Sequence, residues 1–91
     1  MSAFTTKDLL APITNRVIRV FMRFHSILLD QGASVERFKA WQHQCEVEYY
    51  GSRNEPAKKA KALQFAKEAL IKADEFERRA MFIRADMRYY Q

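Results

Sequence analysis

Residues 15–29, NRVIRVFMRFHSILL, carry the pattern that most restricts how this chain can fold. Their apolar side chains recur at intervals of three and four residues, which places them on one face of a helix. The residues on that face are Val17, Val20, Phe21, Phe24 and Leu28. A neighbouring stripe carries Arg16, Arg19 and Arg23. The segment therefore predicts an amphipathic helix whose apolar face packs into a core and is edged by three guanidinium groups.

The composition favours long helices over a sheet. The 91 residues include only two glycines and two prolines, so the chain has few of the residues that form turns. Apolar residues make up 48% of the chain and aromatic residues 13%, which is enough for one hydrophobic core. A second core would have too little apolar surface to bury in a chain of this length. We therefore expect a single all-α domain.

The first turn signals divide the chain into a lead-in over residues 1–13 and a helical unit over residues 14–91. Pro12, followed by Thr14, has the sequence of a helix start. Gly32 can adopt the left-handed conformation that follows many helices, so it predicts the end of the first helix just before it.

Two further helices follow in the predicted arrangement. Ser34 caps a second helix over residues 35–50, and a break over residues 51–54 precedes a third helix from residue 55 to residue 84 or beyond. The third helix has an alanine-rich seam with alternating spacings of four and three residues, typical of a coiled coil. Its members are Ala62, Ala66, Ala69, Ala73, Phe76, Ala80, Ile83 and Met87. Short connections make successive helices antiparallel, so we expect an antiparallel three-helix bundle with a long third helix.

The charge balance indicates an anionic partner. Sixteen basic residues against eleven acidic ones give a net charge of +5, which suits nucleic acid, lipid headgroups or an acidic protein. The arginine row on the first helix fits a docked acidic helix or a phosphate, because guanidinium groups bind both with paired hydrogen bonds. The alternative is that the row only keeps the surface solvated. Three cations from the second helix and the following loop can extend the row: Arg37, Lys39 and Arg53.

No catalytic or metal-binding pattern is present in the sequence. His25 and His43 are 18 residues apart and fall outside any HExxH spacing. Cys45, the only cysteine, lies on the apolar line of the second helix and is expected in the core. Glycine-rich phosphate loops and nucleophile elbows are also missing. We therefore expect a protein that is not an enzyme and holds no metal or cofactor directly. No apolar run is long enough for a transmembrane span.

Three blocks of the sequence resemble the LYR-motif family of small mitochondrial proteins. These blocks are RVIRVFMR, ERFKAW and NEPAKKAKALQFAKEALIKADEF, and their spacing is similar to that in the LYR accessory subunits of the membrane arm of respiratory complex I. Val20, Phe21 and Met22 stand in the place of the motif's Leu-Tyr-Arg. The first two keep its apolar character, while Arg23 or Arg19 has to supply the charge that Met22 lacks.

The resemblance implies a binding role. It implies a non-catalytic accessory subunit of complex I, on the matrix side of the mitochondrial inner membrane, peripheral to the membrane and in contact with other membrane-arm subunits. Its partner is a mitochondrial acyl carrier protein, which itself carries the acyl-phosphopantetheine. The residues implied in carrier and phosphopantetheine binding are Arg16, Arg19, Arg23, Lys39 and Arg53. Those implied in an acyl-chain tunnel are Val20, Phe24, Leu28, Phe38, Trp41, Tyr49 and Phe65.

Two alternatives stay open at this point. Within the same family, the chain can be an assembly factor or an adaptor for iron–sulfur biogenesis, again held through the carrier. From a different class, it can be a small basic helical protein that binds RNA or belongs to a mitochondrial ribosome. The first interpretation involves no nucleic acid. A requirement for the acylated carrier distinguishes the LYR interpretations from RNA binding.

Overall fold

The structure, a computed structural model, is a hairpin of two long helices. It describes the backbone of residues 6–90 and the side chains of residues 12–90. Helix α1 spans Thr6–Ser52 and helix α2 spans Pro56–Met87; a 3₁₀ turn, η1, follows over Arg88–Tyr90. The two helices pack antiparallel into a rod of 83 × 14 × 13 Å. The all-α prediction is confirmed, whereas the three-helix bundle is wrong, because the described residues form only two helices.

The three-helix prediction failed at Gly32, where α1 continues without a break. The backbone of Gly32 is not in the left-handed region, so this glycine does not end a helix. A Cβ atom at this position would stand 3.4 Å from the ring of Phe76 on α2. Gly32 thus lets the ring approach the α1 backbone closely, and the predicted first and second helices are one.

The start of α1 also differs from the prediction. The helix begins at Thr6, so Pro12 lies inside it rather than at its first position. Proline has no backbone N–H, and the helix therefore forgoes one hydrogen bond there. The lead-in is helical from Thr6 onward, and residues 1–5 lie outside the described part of the chain.

The reversal of the chain takes place at the predicted break. Asn54 adopts a left-handed conformation with φ of 55°, which asparagine tolerates better than most residues. Its N–H donates to the Gly51 carbonyl at 3.3 Å, and the Glu55 N–H donates to the Tyr50 carbonyl at 3.0 Å. These two bonds form a Schellman motif at the end of α1. Pro56, whose φ suits a first helical position, then starts α2.

The interface between the helices is built mainly from alanines on α2 and from side chains of mixed size on α1. On α2, every member of the predicted alanine-rich seam is buried or partly buried, which confirms that prediction. On α1, the facing positions also recur every three or four residues. They are Ile18, Met22, Ser26, Leu29, Ala33, Glu36, Ala40, His43, Val47 and Tyr50. Small residues let two helix backbones approach closely, although each one buries little apolar area.

Ion pairs fix the register of the hairpin along one flank. Arg37 on α1 reaches Glu77 at 2.7 Å and Asp74 at 3.4 Å on α2. The hydrogen bond and charge of Glu77 raise the pKa of the Arg37 guanidinium above its ordinary value. Farther from the turn, Arg84 donates to the Asp30 carboxylate. Because all these groups are solvent-exposed, they specify alignment more than they add stability.

The apolar face predicted as the core of the first helix lies on the outside of the rod. Its five members are about half exposed or more, and Phe21 is the most exposed at 70%. Ser26 and Leu29, which belong to the opposite side of α1, are buried against α2 instead. The helix period was therefore predicted correctly, but the face that packs was not.

Candidate functional site

Five arginines come together where the C-terminal end of α2 lies beside α1, far from the turn. A cleft of 370 Å³ lies between the helices there. Its lining consists of Arg19, Arg23, Arg84 and Arg88 with Ser26, Ile27 and Met87. A neighbouring cleft of 180 Å³ adds Arg16 and Val20. We call Arg16, Arg19, Arg23, Arg84 and Arg88 the arginine end.

The local structure explains why these side chains converge. Arg16, Arg19 and Arg23 are spaced by three and four residues, so they lie along one flank of α1. Arg84 and Arg88 are four residues apart, hence on one face of the last turn of α2 and η1. The antiparallel hairpin brings this turn back beside the α1 row. Cations at the C-terminal end of α2 also interact favourably with the helix dipole.

The arginine end carries more positive charge than the carboxylates around it neutralise. Asp30 accepts a hydrogen bond from Arg84. Among the described side chains, Arg16, Arg19, Arg23 and Arg88 take part in no ion pair. The apolar side chains of Ile27 and Met87 line the cleft beside these guanidinium groups. An anion attached to a slender apolar group matches this combination of charge and lining.

The other cations assigned to carrier binding lie elsewhere on the rod. Lys39 is 3.5 Å from Glu36 on its own helix, about 24 Å along α1 from Arg23. Arg53 stacks over the Tyr49 ring at 4.6 Å, beside the turn at the opposite end. Arg37 is held by its ion pairs to α2. The structure thus groups the α1 arginines with two arginines near the end of α2, not with these three cations.

Arg84 and Arg88 belong to this site only because the hairpin brings the end of α2 beside the arginines of α1. Their spacing of four residues was visible in the sequence, but it suited a purely stabilising role at a helix end equally well. With α1 continuous through Gly32, the end of α2 returns beside the first arginines of α1. A three-helix arrangement obscured this juxtaposition.

The residues assigned to an acyl-chain tunnel do not enclose a cavity within one chain. All seven have exposed side chains. Six of them lie on the side of α1 that faces away from α2. Phe65 lies on α2, with its ring 5.4 Å from that of His43. The six belong to a longer surface that we call the outer stripe. It comprises Val17, Val20, Phe21, Phe24, Ile27, Leu28, Val35, Phe38, Trp41, Cys45 and Tyr49.

The LYR-like residues are divided between the two sides of α1. Val20 and Phe21 belong to the outer stripe, whereas Met22 is partly buried in the seam. Cys45 is exposed, so its expected place in the core is wrong. The apolar line that contains Cys45 therefore faces the exterior, as the apolar face of residues 15–29 does.

The described side chains contain no group of three or more histidine, cysteine, aspartate or glutamate residues that could hold a metal ion. His43 lies 3.2 Å from Glu46, and His25 is exposed on a different part of α1. Within residues 6–90, neither helix has an apolar stretch that could cross a membrane.

Comparison of the chain with protein-family models, with curated proteins and with solved structures found no match. The LYR resemblance therefore stays a prediction from the sequence.

Proposed function

We propose that this chain is a non-catalytic adaptor that binds an acidic carrier protein through a phosphate-bearing arm at the arginine end. The observation that carries the proposal is the convergence of five guanidinium groups from both helices on clefts partly lined by apolar side chains. Planar guanidinium groups pair with phosphate and carboxylate through two parallel hydrogen bonds.

The cleft suits a phosphopantetheine arm better than a bare anion. Its volume of 370 Å³ falls in the range of small-ligand sites. In this proposal the guanidinium groups of Arg19, Arg23 and Arg88 meet the phosphate, while Ile27 and Met87, which line the same cleft, contact the apolar parts of the arm. Acidic side chains of the carrier can then meet Arg16, which lines the neighbouring cleft.

An acidic protein is favoured over nucleic acid because of what surrounds the arginines. Interfaces between proteins combine arginine and aromatic side chains with apolar neighbours. Here Ile27 and Met87 stand among the arginines in the same cleft. Lysines and arginines following a phosphate backbone form the more usual nucleic-acid surface, and here the five arginines are confined to one end.

The cellular setting of this proposal comes from the sequence resemblance. In that setting the chain is an accessory subunit of mitochondrial respiratory complex I and contacts the membrane-arm subunits on the matrix side. The carrier that it binds is an acyl carrier protein. An assembly factor or iron–sulfur adaptor uses the same carrier in a different complex. The two-helix architecture favours neither setting, so purification with complex I subunits is what distinguishes them.

The test is a binding titration of the full chain with an acyl carrier protein in its apo, holo and acylated forms. Arg19→Glu with Arg23→Glu should weaken binding of the holo form at least ten-fold and leave helicity unchanged, because both side chains are exposed. The matched control is Lys61→Glu with Lys67→Glu. It makes the same charge change on the half of α2 near the turn and should bind as the parent does.

Three outcomes overturn the proposal. One is equal binding of the apo and holo carrier, since the phosphate-bearing arm would then contribute nothing. Another is equal loss of binding in both double variants, which would indicate a response to net charge alone. The third is tight binding of single-stranded RNA by a chain that ignores the carrier.

A further inference from the structure

We propose that the outer stripe is the interface of an antiparallel homodimer, in which α1 of one copy packs against α1 of a second. The stripe lies opposite the seam, because its members precede seam residues by one or two positions at about 100° per residue. It runs from residue 17 to residue 49, or roughly 48 Å along the helix. The hairpin leaves this whole surface without a partner.

The stripe is large enough for a stable dimer. Phe21, Phe24 and Trp41 are 70%, 64% and 62% exposed. Full burial of an aromatic side chain covers about 150–250 Å², so these three alone offer roughly 300–500 Å². With the remaining members, the stripe offers on the order of 1,000 Å² per copy, against about 800 Å² per partner in a standard interface.

When one copy is reversed, six of the eleven members of the stripe lie level with another member. A two-fold axis level with residue 33 places Phe21 opposite Cys45 and Leu28 opposite Phe38 of the second copy. It also brings Val17 level with Tyr49. Large side chains then face smaller ones at several levels, which is how two helices interdigitate. A parallel pair instead stacks Phe21, Phe24 and Phe38 each against its own copy.

The charged residues beside the stripe also favour the antiparallel orientation. Arg19 and Glu48 each follow a seam residue by one position, and Arg16 is three residues before Arg19, so all three lie on the same flank of the stripe. Reversal about residue 33 brings Glu48 level with residue 18 of the second copy, between these two arginines. Like flanks meet in an antiparallel two-fold pair, so opposite charges approach each other. A parallel pair gathers the arginine rows of both copies at one end, where they repel.

A native cysteine makes the orientation measurable. Cys45 is exposed on the stripe. In a parallel dimer it faces its own copy, whereas in the antiparallel dimer it faces Phe21. Residues 21 and 45 of one chain are about 36 Å apart along the helix, so a disulfide between them can form only between two copies.

The first experiment measures the mass of the full chain in solution by sedimentation, in buffer without any carrier or other macromolecule. The expected result is a dimer at micromolar concentration that becomes monomeric in Phe24→Glu with Phe38→Glu. The matched control is Ile71→Glu with Phe82→Glu, because these side chains are comparably exposed on α2 outside the stripe. That control should remain dimeric. A parent that stays monomeric at 100 μM, or a control that dissociates equally, overturns the proposal.

The second experiment is oxidation of Phe21→Cys, followed by separation of products without reductant. The expected product is a covalent dimer, and it should be lost when Cys45→Ser is added. The parent chain should form little covalent dimer under the same conditions. Efficient Cys45–Cys45 crosslinking in the parent overturns the antiparallel orientation. Because neither experiment contains the carrier, failure here is separate from failure of the adaptor proposal.

Discussion

The two long surfaces of α1 differ in a way opposite to the usual division between core and exterior. On the side that packs on α2, the buried residues are two alanines, a serine, a leucine and a valine. The outer stripe presents phenylalanine, tryptophan, tyrosine and leucine, and these are exposed. The size of an apolar side chain therefore does not show which surface two helices share. Close approach of the backbones requires small residues, and large residues are left for a second interface.

The adjacent leucines of α1 give the sharpest test of this contrast. Leu29 is 8% exposed in the seam, whereas its neighbour Leu28 is 60% exposed on the stripe. Leu29→Ala should lower the free energy of unfolding by about 2–5 kcal/mol. Leu28→Ala should change it by less than about 0.5 kcal/mol in the monomer. Chemical denaturation at sub-micromolar protein, followed by circular dichroism, measures both, and equal losses would contradict the assignment of the two faces.

Replacing a buried seam alanine with a larger residue tests whether the packed face requires small side chains. Ala73 is fully buried, with 0% exposure, so Ala73→Leu has no space for the added atoms and pushes the helices apart. The expected loss is about 1–3 kcal/mol. Ala60→Leu is the control, because Ala60 is exposed on the same helix. Thermal unfolding should show a lower midpoint for the first variant only. A seam that accepts leucine without loss would mean that the helices are not closely packed.

Gly32 and Phe76 define a third test with a smaller effect. In a helix interior, glycine to alanine gains up to about 1 kcal/mol, but at Gly32 the new methyl group meets the Phe76 ring at 3.4 Å. Gly32→Ala should therefore stabilise the parent less than it stabilises a Phe76→Leu background. A double-mutant cycle of unfolding free energies measures the difference. Identical gains in both backgrounds would show that the ring does not restrict this position.

The exposed ion pairs should have the smallest effect. Glu77 raises the pKa of Arg37, so the contribution of the charged guanidinium is present below the ordinary pKa of arginine and is lost only above its raised value. The difference in unfolding free energy between the parent and Arg37→Gln should therefore be the same at pH 7 and pH 10. It should shrink in 1 M NaCl, which screens exposed charges. If this difference in unfolding free energy vanished between pH 7 and pH 10, it would come from a group that titrates in that range and not from Arg37.

The two helices also differ in how well their sequences predicted them. The α2 seam was predictable because its alanines keep a regular spacing while charged residues fill most of the other positions. Residues 15–50 have apolar residues on two opposite faces, and periodicity does not indicate which face packs. The prediction took the face with the larger apolar residues as the core, and that face lies on the exterior of the hairpin.

Gly32 illustrates a second physical limit. A glycine between helical patterns is read as a stop, because its most common structural use near helix ends is the left-handed conformation. Here Gly32 lies inside α1 and its backbone packs against Phe76, which is 44 positions later in the chain. The arginine row on α1 was apparent in the sequence. Its completion by Arg84 and Arg88 depended on the same long-range arrangement.

The single turn of the hairpin determines the order in which its two helices come together. Pairs beside the turn join residues close in sequence, whereas Asp30 and Arg84 are 54 positions apart. Closing a longer loop costs more entropy. We therefore expect the contacts beside the turn to form first and the contacts at the arginine end to open first. In the proposed function, an anion held between Arg23 on α1 and Arg88 after α2 bridges the two helices at the end farther from the turn. If the proposed function is correct, the binding free energy of that anion adds to the stability of the closed hairpin.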